Sequence, residues 1–256
     1  MKIIFSKYHG AGNDFILIDN RAQIIKLAEE QIENICHRRF GIGADGLMLL
    51  ESDSETDFRM IYYNSDGKEG SMCGNGGRCI VAFANEIGIK KEHYHFMATD
   101  GLHEALLESS QIDLKMTNVE NIKRFENDWF LDTGSPHAVE VVKNIEFVNV
   151  SEEGQQLRQD SRFGENGTNV NFIEINKNQI KIRTYERGVE AETYACGTGA
   201  VASAIIANQI NPNIEQFTLK ALGGTLNVSF DVSNKRYQNI WLKGPAIKVF
   251  SGEIII

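Results

Sequence analysis

The chain has 256 residues, 42% of them hydrophobic, enough for one large or two modest domains with a sizeable core. A net charge of −9 without any Lys/Arg stripe speaks against a nucleic-acid partner, because phosphate binding calls for clustered cations. No apolar run approaches a membrane span and the opening Met1–Ser6 is too short for a signal segment, so the expected compartment is the cytoplasm, where the four cysteines stay thiols.

Strands are expected at residues 2–5 and 15–19, on either side of the turn His9-Gly10-Ala11-Gly12-Asn13-Asp14. Leu27, Ile32, Ile35 and Cys36 recur at near-helical spacing, which predicts an amphipathic helix over 25–39 with Cys36 packed in the core. A turn-rich loop, Phe40 to Gly46, precedes strands at 47–51 and 58–63, and Asn64-Ser65-Asp66-Gly67 forms a turn. The run Met72-Cys73-Gly74-Asn75-Gly76-Gly77-Arg78-Cys79 opens a helix over 76–86 that stops at Gly88. Cys79 has no neighbours at metal-ligand spacing and reads as packing, so no metal site is expected. Strands at 94–99, 102–108 and 111–116 complete the first half.

After the weakly patterned stretch 118–128 the programme repeats. Strands at 130–132 and 138–142 flank Gly134-Ser135-Pro136-His137. Ser151 is expected to cap a helix running to 162, followed by strands at 170–175 and 179–185, then Glu186 and Arg187. Ala195-Cys196-Gly197-Thr198-Gly199-Ala200 opens a helix over 199–209, Pro212 marks its end, and strands fill the rest. Cys73 and Cys196, Gly101 and Gly224, and Phe40 and Phe163 are all separated by one interval, so the chain reads as a duplication. The domains are expected at 1–117 and 118–247, with a last strand at about 248–256 returning to the first.

Each duplicated loop places a thiol at a helix start, where unpartnered N–H groups and the macrodipole favour an anion. A thiol at such a site is acidified from about 8.5 toward neutrality. Two such thiols in pseudo-symmetric halves would face each other across an interdomain cleft, a favoured place for a small-molecule site.

The set His9-Gly10-x-Gly12-Asn13-Asp14-Phe15, Gly41-Ile42-Gly43-x-Asp45, Asn64-x-Asp66-Gly67, Met72-Cys73-Gly74-Asn75-Gly76, Gly134-x-Pro136-His137, Asn169-x-x-Phe172, Tyr185-Glu186-Arg187-Gly188 and Ala195-Cys196-Gly197-Thr198-Gly199-Ala200 resembles the diaminopimelate epimerases, in order and over nearly the whole chain. The resemblance implies an α/β (α+β) fold of two similar domains, each a curled mixed sheet or barrel around a central helix. It also implies a cofactor-independent isomerase that interconverts LL- and meso-diaminopimelate for lysine and peptidoglycan synthesis, with no membrane or nucleic-acid partner and a homodimer among the assemblies open to it. Cys73 and Cys196 would be the thiolate/thiol pair, each able to act as base or acid. By resemblance His137 and Glu186 support them. Gly74, Asn75, Gly197 and Thr198 would hold the α-carboxylate, and Asn13, Asn64, Asn169, Glu186 and Arg187 the remainder of the substrate, Arg being suited to a carboxylate by its planar fork.

Many relatives carry Gln at position 46 and Asn at 135, so no binding role is carried onto Gly46 or Ser135. A proline or hydroxyproline racemase would share the two thiols but resembles Cys-Gly-His-Gly at the first site. A thiol redox protein would need a Cys-x-x-Cys pair, which Cys73 and Cys79 do not form. A non-catalytic binding module has no use for paired thiols.

Overall fold

The computed structural model describes residues 1–70, 72–109 and 111–256. Contacts divide the chain into two compact units, Met1–Leu114 with Gly244–Ile256, and Lys115–Lys243. The fold is mixed α+β.

In the first unit β1 (Lys2–Gly10) turns through Ala11 and Gly12, both at positive φ (52° and 90°), into β2 (Asn13–Asp19). That two-residue turn matches the right-handed strand twist, and it makes Asn13 the first residue of β2. A crossover through α1 (Glu29–Cys36) brings β3 (Gly46–Glu51) parallel to β2, and β4 (Phe58–Asn64) returns antiparallel. A second crossover through α2 (Gly74–Glu86) leads to β5 (His93–Ala98), parallel to β4, followed by the antiparallel β6 (Gly101–Glu108) and β7 (Gln111–Lys115).

The second unit begins with the short β8 (Lys123–Arg124) and the antiparallel β9 (Asp128–Asp132) and β10 (Pro136–Val141). α3 (Val150–Arg158) then leads to β11 (Asn169–Asn176), parallel to β10, and β12 (Gln179–Glu186) returns with the short β13 (Ala191–Thr193) on its far end. α4 (Gly197–Ile210) crosses to β14 (Gln216–Ala221), parallel to β12, and β15 (Gly224–Ser233) and β16 (Arg236–Pro245) follow antiparallel. The last strand, β17 (Ile247–Ile255), pairs antiparallel with β1 from Lys2↔Ile255 onward, so the chain ends where it began.

The duplication is visible in the elements. Asn13 and Pro136 open β2 and β10, Gly46 and Asn169 open β3 and β11, Gly74 and Gly197 open α2 and α4, and His93 and Gln216 open β5 and β14. Each pair lies 123 residues apart.

α2 and α4 are the centres of their units. α2 touches β1, β2, β3 and β6, and α4 touches β9, β10, β11, β12, β14 and β15. A helix surrounded in this way is buried on almost every side. In α2 even Arg78 is fully buried beside Cys79, Ile80, Val81 and Phe83, and α4 is buried from Gly199 through Asn208. Each large apolar side chain so enclosed contributes about 1.5–3 kcal/mol. The glycines of α2 let the sheet come close: a Cβ on Gly76 would stand 2.3 Å from Met48 Cε, and one on Gly77 3.0 Å from Leu114 Cδ2.

α2 and α4 begin two residues before their expected starts, and the other two helices differ more. The helix expected over 25–39 is confined to Glu29–Cys36, because the Asn20 side chain holds Ile25 in an irregular segment (Nδ2 donates to its carbonyl at 3.1 Å, Oδ1 accepts its N–H at 2.9 Å). At the other end His37 Nδ1 accepts the N–H groups of Arg39 and Phe40 and turns the chain away. In the second unit Asn149, not Ser151, is the cap: its Oδ1 accepts from the Glu152 N–H while Glu153 Oε1 accepts from the Asn149 N–H. That helix stops at Arg158, and a separate 3₁₀ turn spans Ser161–Phe163. Cys36 and Cys79 are both in the core, and burial pushes each thiol up to about 12.

α3 rests on β12 through Gly154, where a Cβ would lie 2.5 Å from Tyr185 Cβ and 2.8 Å from its Cγ. Those atoms are anchored to the strand and cannot swing aside. Gly154→Ala is therefore expected to destabilise the fold by about 1–3 kcal/mol, read from the urea midpoint. A loss below about 0.5 kcal/mol would show that α3 slides freely on the sheet.

Candidate active site

Both paired thiols are N-caps. Cys73 precedes α2 with extended backbone (φ −103°, ψ 133°) and Cys196 precedes α4 in the same way (φ −118°, ψ 119°). The first residues of each helix, Gly74 and Asn75 in one unit and Gly197 and Thr198 in the other, carry amides that find no acceptor within their own helix. Cys196 Sγ itself accepts the Gly199 N–H at 3.4 Å. Both thiols are half-buried, unlike Cys36 and Cys79.

In the first unit the hairpin places Asn13 against the start of α2. Asn13 Oδ1 accepts from Cys73 Sγ at 3.6 Å and from Asn75 Nδ2 at 3.3 Å. Its Nδ2 donates to Asp45 Oδ2 at 2.7 Å. Asn75 is anchored in turn by the buried Arg78, whose Nη2 donates to Asn75 Oδ1 at 2.8 Å and Nη1 to the Gly74 carbonyl at 2.9 Å. Burial lowers the Arg78 pKa, and negative charge on Cys79 or Cys73 would oppose that shift. Behind Asn13 stands an ion network: Lys7 meets Asp14 at 2.6 Å, and Arg38 meets Asp14 at 2.7 Å and Asp45 at 2.6 Å. Burial alone would raise the Asp14 carboxyl, but hydrogen bonds and charge from Arg38 and Lys7 bring it down to about 2. Asn64 ends β4 on the exposed surface, and among the described residues its hydrogen bonds to protein are those of its backbone.

In the second unit His137 is fully buried, and its Nε2 lies 2.9 Å from Thr198 Oγ1, which lies 3.4 Å from Cys196 Sγ. Thr133 Oγ1 donates to the Thr198 carbonyl at 3.0 Å and steadies the same turn. Burial first, and then the charge of Arg187, push His137 down to about 3, so it is a neutral imidazole. Asn169 is buried at 4% exposure: Nδ2 donates to Ser135 Oγ and the Pro136 carbonyl, and Oδ1 accepts the Arg187 N–H at 2.9 Å. Its amide thus holds the Arg187 backbone in place. Glu186 and Arg187 follow one another at the end of β12, both half-buried.

The two departures from the family pattern have local explanations. A side chain at Gly46 would meet Tyr62 Cε2 at 2.5 Å and the Tyr63 carbonyl at 2.6 Å, so the tyrosine occupies that space. Ser135 supplies the hydroxyl on which Asn169 rests. The side chains that sequence reasoning left without a role are Asp45, Arg78 and Asn171. Asn171 Nδ2 is 3.0 Å from His137 Nδ1, and neither it nor Asp45 is marked by spacing to a cysteine. Asp45 and Arg78 lie inside quoted motifs, which was the one available signal.

The family model for diaminopimelate epimerase matches residues 5–121 and 129–249. A protein named diaminopimelate epimerase from Flavobacterium psychrophilum is 50% identical over 252 residues, covering 97% of this chain and 98% of the relative. One of the same name from Chlorobaculum tepidum is 44% identical, covering 96% and 99%. Among solved structures, a phenazine biosynthesis protein of the PhzF family from Bacillus anthracis superposes with a TM-score of 0.79 over 100% of both chains at 18% identity, a likeness of fold alone. With paired N-cap thiols in a duplicated fold and matches over nearly its whole length, the chain belongs to the diaminopimelate epimerase family.

Proposed function

We propose that the chain interconverts LL- and meso-diaminopimelate by moving a proton off one face of the α-carbon and onto the other, without a cofactor. The observation that carries this reading is the pair of N-cap thiols, Cys73 and Cys196, at equivalent starts of α2 and α4. Inversion without an electron sink needs a base on one face and an acid on the other, and a thiolate with a thiol supplies both, exchanging roles with direction.

The α-proton is far less acidic than any thiol, so the carbanion needs its own stabilisation. The amides of Gly74, Asn75, Gly197 and Thr198 supply donors for the α-carboxylate as charge develops on it, each such donor being worth about 10²–10³ in rate. Asn64, Asn169, Glu186 and Arg187 are assigned to the distal ammonium and carboxylate, with Arg187 on the carboxylate, and Asn13 lines the site beside Cys73. His137 and Glu186 support the thiols, His137 acting on Cys196 through Thr198. Among the described residues no helix is long and apolar enough to cross a membrane. A cytoplasmic home, which keeps thiols reduced, completes the reading, and a homodimer is among the assemblies open to it.

Incubation with LL-diaminopimelate, followed by chiral chromatography, tests the activity, and proline and hydroxyproline run in parallel separate the racemase reading. Cys73→Ala and Cys196→Ala are each expected to lower turnover at least about 10³-fold with an unchanged melting temperature. Turnover near wild type in either variant would contradict the two-thiol mechanism. Cys36→Ala and Cys79→Ala are expected to keep turnover within about twofold while costing stability, as core truncations do. A stably folded Cys79→Ala that has lost activity would give that thiol a part in the chemistry.

A further inference from the structure

We propose that the outer face of the β5–β6 hairpin is a binding site for a late first-row divalent metal ion of the zinc type, with His93, His95 and Glu104 as its protein ligands. All three residues belong to the first unit, and none is a member of the candidate active site.

The chain has six histidines in 256 residues, and His93, His95 and His103 all fall on this one hairpin. Along β5 the side chains alternate. Tyr94 and Phe96 are fully buried, whereas His93 and His95, two residues apart, are exposed together on the other face. β6 pairs antiparallel with His95 opposite Glu104, so the carboxylate joins the two rings on the same side of the sheet. Side chains directly opposite one another start about 4.5–5.5 Å apart at Cβ, within reach of a shared ion. His103 goes the other way: its ring stacks on Phe96 at 5.3 Å and its Nε2 meets Asp100 Oδ1 at 3.1 Å, so it is not a ligand.

The three side chains have already converged. His93 Nε2 lies 2.7 Å from Glu104 Oε1, the two imidazole centroids are 4.5 Å apart, and one ligand atom from each residue falls within 4.8 Å of the other two. Zinc bonds of about 2.0–2.2 Å place neighbouring ligand atoms of a tetrahedral site roughly 3.3 Å apart. Rotation of the exposed rings about their own torsions reaches that spacing, with no movement of the strand. The strand itself is pinned, because the His95 N–H donates to Asp57 Oδ2 at 2.8 Å and its carbonyl accepts the Asp57 N–H at 2.9 Å. The same Asp57 carboxylate pairs with Lys91, so the cation two residues before His93 is already answered.

A carboxylate has two oxygens, and Glu104 can meet a metal through one while keeping its other contacts. Two imidazoles and a carboxylate, with water completing the tetrahedron, favour zinc and its neighbours over magnesium or calcium, which call for oxygen ligands throughout. An ion held in this way would staple β5 to β6. The bland account of the same residues is a surface His93–Glu104 pair, which needs no metal and contributes little.

Isothermal titration of zinc into the untagged protein near neutral pH separates the two accounts. It needs no substrate, so its outcome is independent of epimerase activity. The wild type is expected to bind one zinc ion that His95→Gln binds at least about tenfold more weakly. Glu104→Gln is expected to weaken the same event, and magnesium to give no comparable binding. Zinc taken up by the thiols would be unchanged in both variants, so the difference belongs to the hairpin. Both substitutions lie on the outer face of the sheet, and a melting curve without metal confirms that each variant is folded. A zinc titration identical in the wild type and either folded variant would overturn the proposal. Magnesium binding as tight as that of zinc would overturn it too, since charge alone would then account for the attraction.

Discussion

A helix that starts inside a protein exposes amides that no residue of its own can answer, and both central helices here begin on a half-buried sulfur. Much of each unit follows from that placement. The helix must be buried all round, so it is made of small and apolar residues, and its first turn must let the sheet approach, so it is rich in glycine. The amides and dipole that would penalise an apolar start favour an anion, whether thiolate or substrate carboxylate. Stability and chemistry thus depend on the same few backbone groups.

Duplication repeats the backbone but not the side chains. At one interval Asp14 answers to His137, Gly46 to Asn169, Asn75 to Thr198 and Arg78 to Val201. The first unit surrounds its sulfur with an ion network, in which Lys7, Arg38 and Asp45 hold Asp14 and Asn13, and with the buried Arg78. The second uses neutral groups, a buried imidazole and the amides and hydroxyls around it. An epimerase acts on two stereoisomers of one substrate, and its halves have no reason to remain electrostatically identical. Copied architecture with diverged polar surroundings suits a reaction in which one sulfur gives what the other takes.

The thiol loops and the duplication were legible because they are local: Cys-Gly-x-Gly before an apolar run announces a helix start wherever it occurs. Periodicity found the helices but overextended the one over 25–39, since no hydrophobic pattern records the hold of Asn20 on Ile25. The cap at Asn149 was two residues from Ser151, and only the hydrogen bonds distinguish them. The side-chain hydrogen bonds behind the two thiols were illegible for a different reason. Asp45 meets Asn13 across 32 residues and Asn171 meets His137 across 34, through pairings that exist only once β2 lies beside β3 and β10 beside β11. The displacement of a side chain at Gly46 by Tyr62 is likewise a fact of packing, not of spacing.

The central claim is that one sulfur removes the α-proton and another sulfur replaces it. Conversion of unlabelled LL-diaminopimelate in deuterated water tests this most directly, because the proton lost on one face is not the one gained on the other. The account predicts that every molecule of the first-formed meso product carries deuterium at the inverted carbon, and that product transiently overshoots its equilibrium share while the returning deuterated form reacts more slowly. Product that retains its original protium, formed without overshoot, would mean that a single base carries the proton across, and would contradict the account.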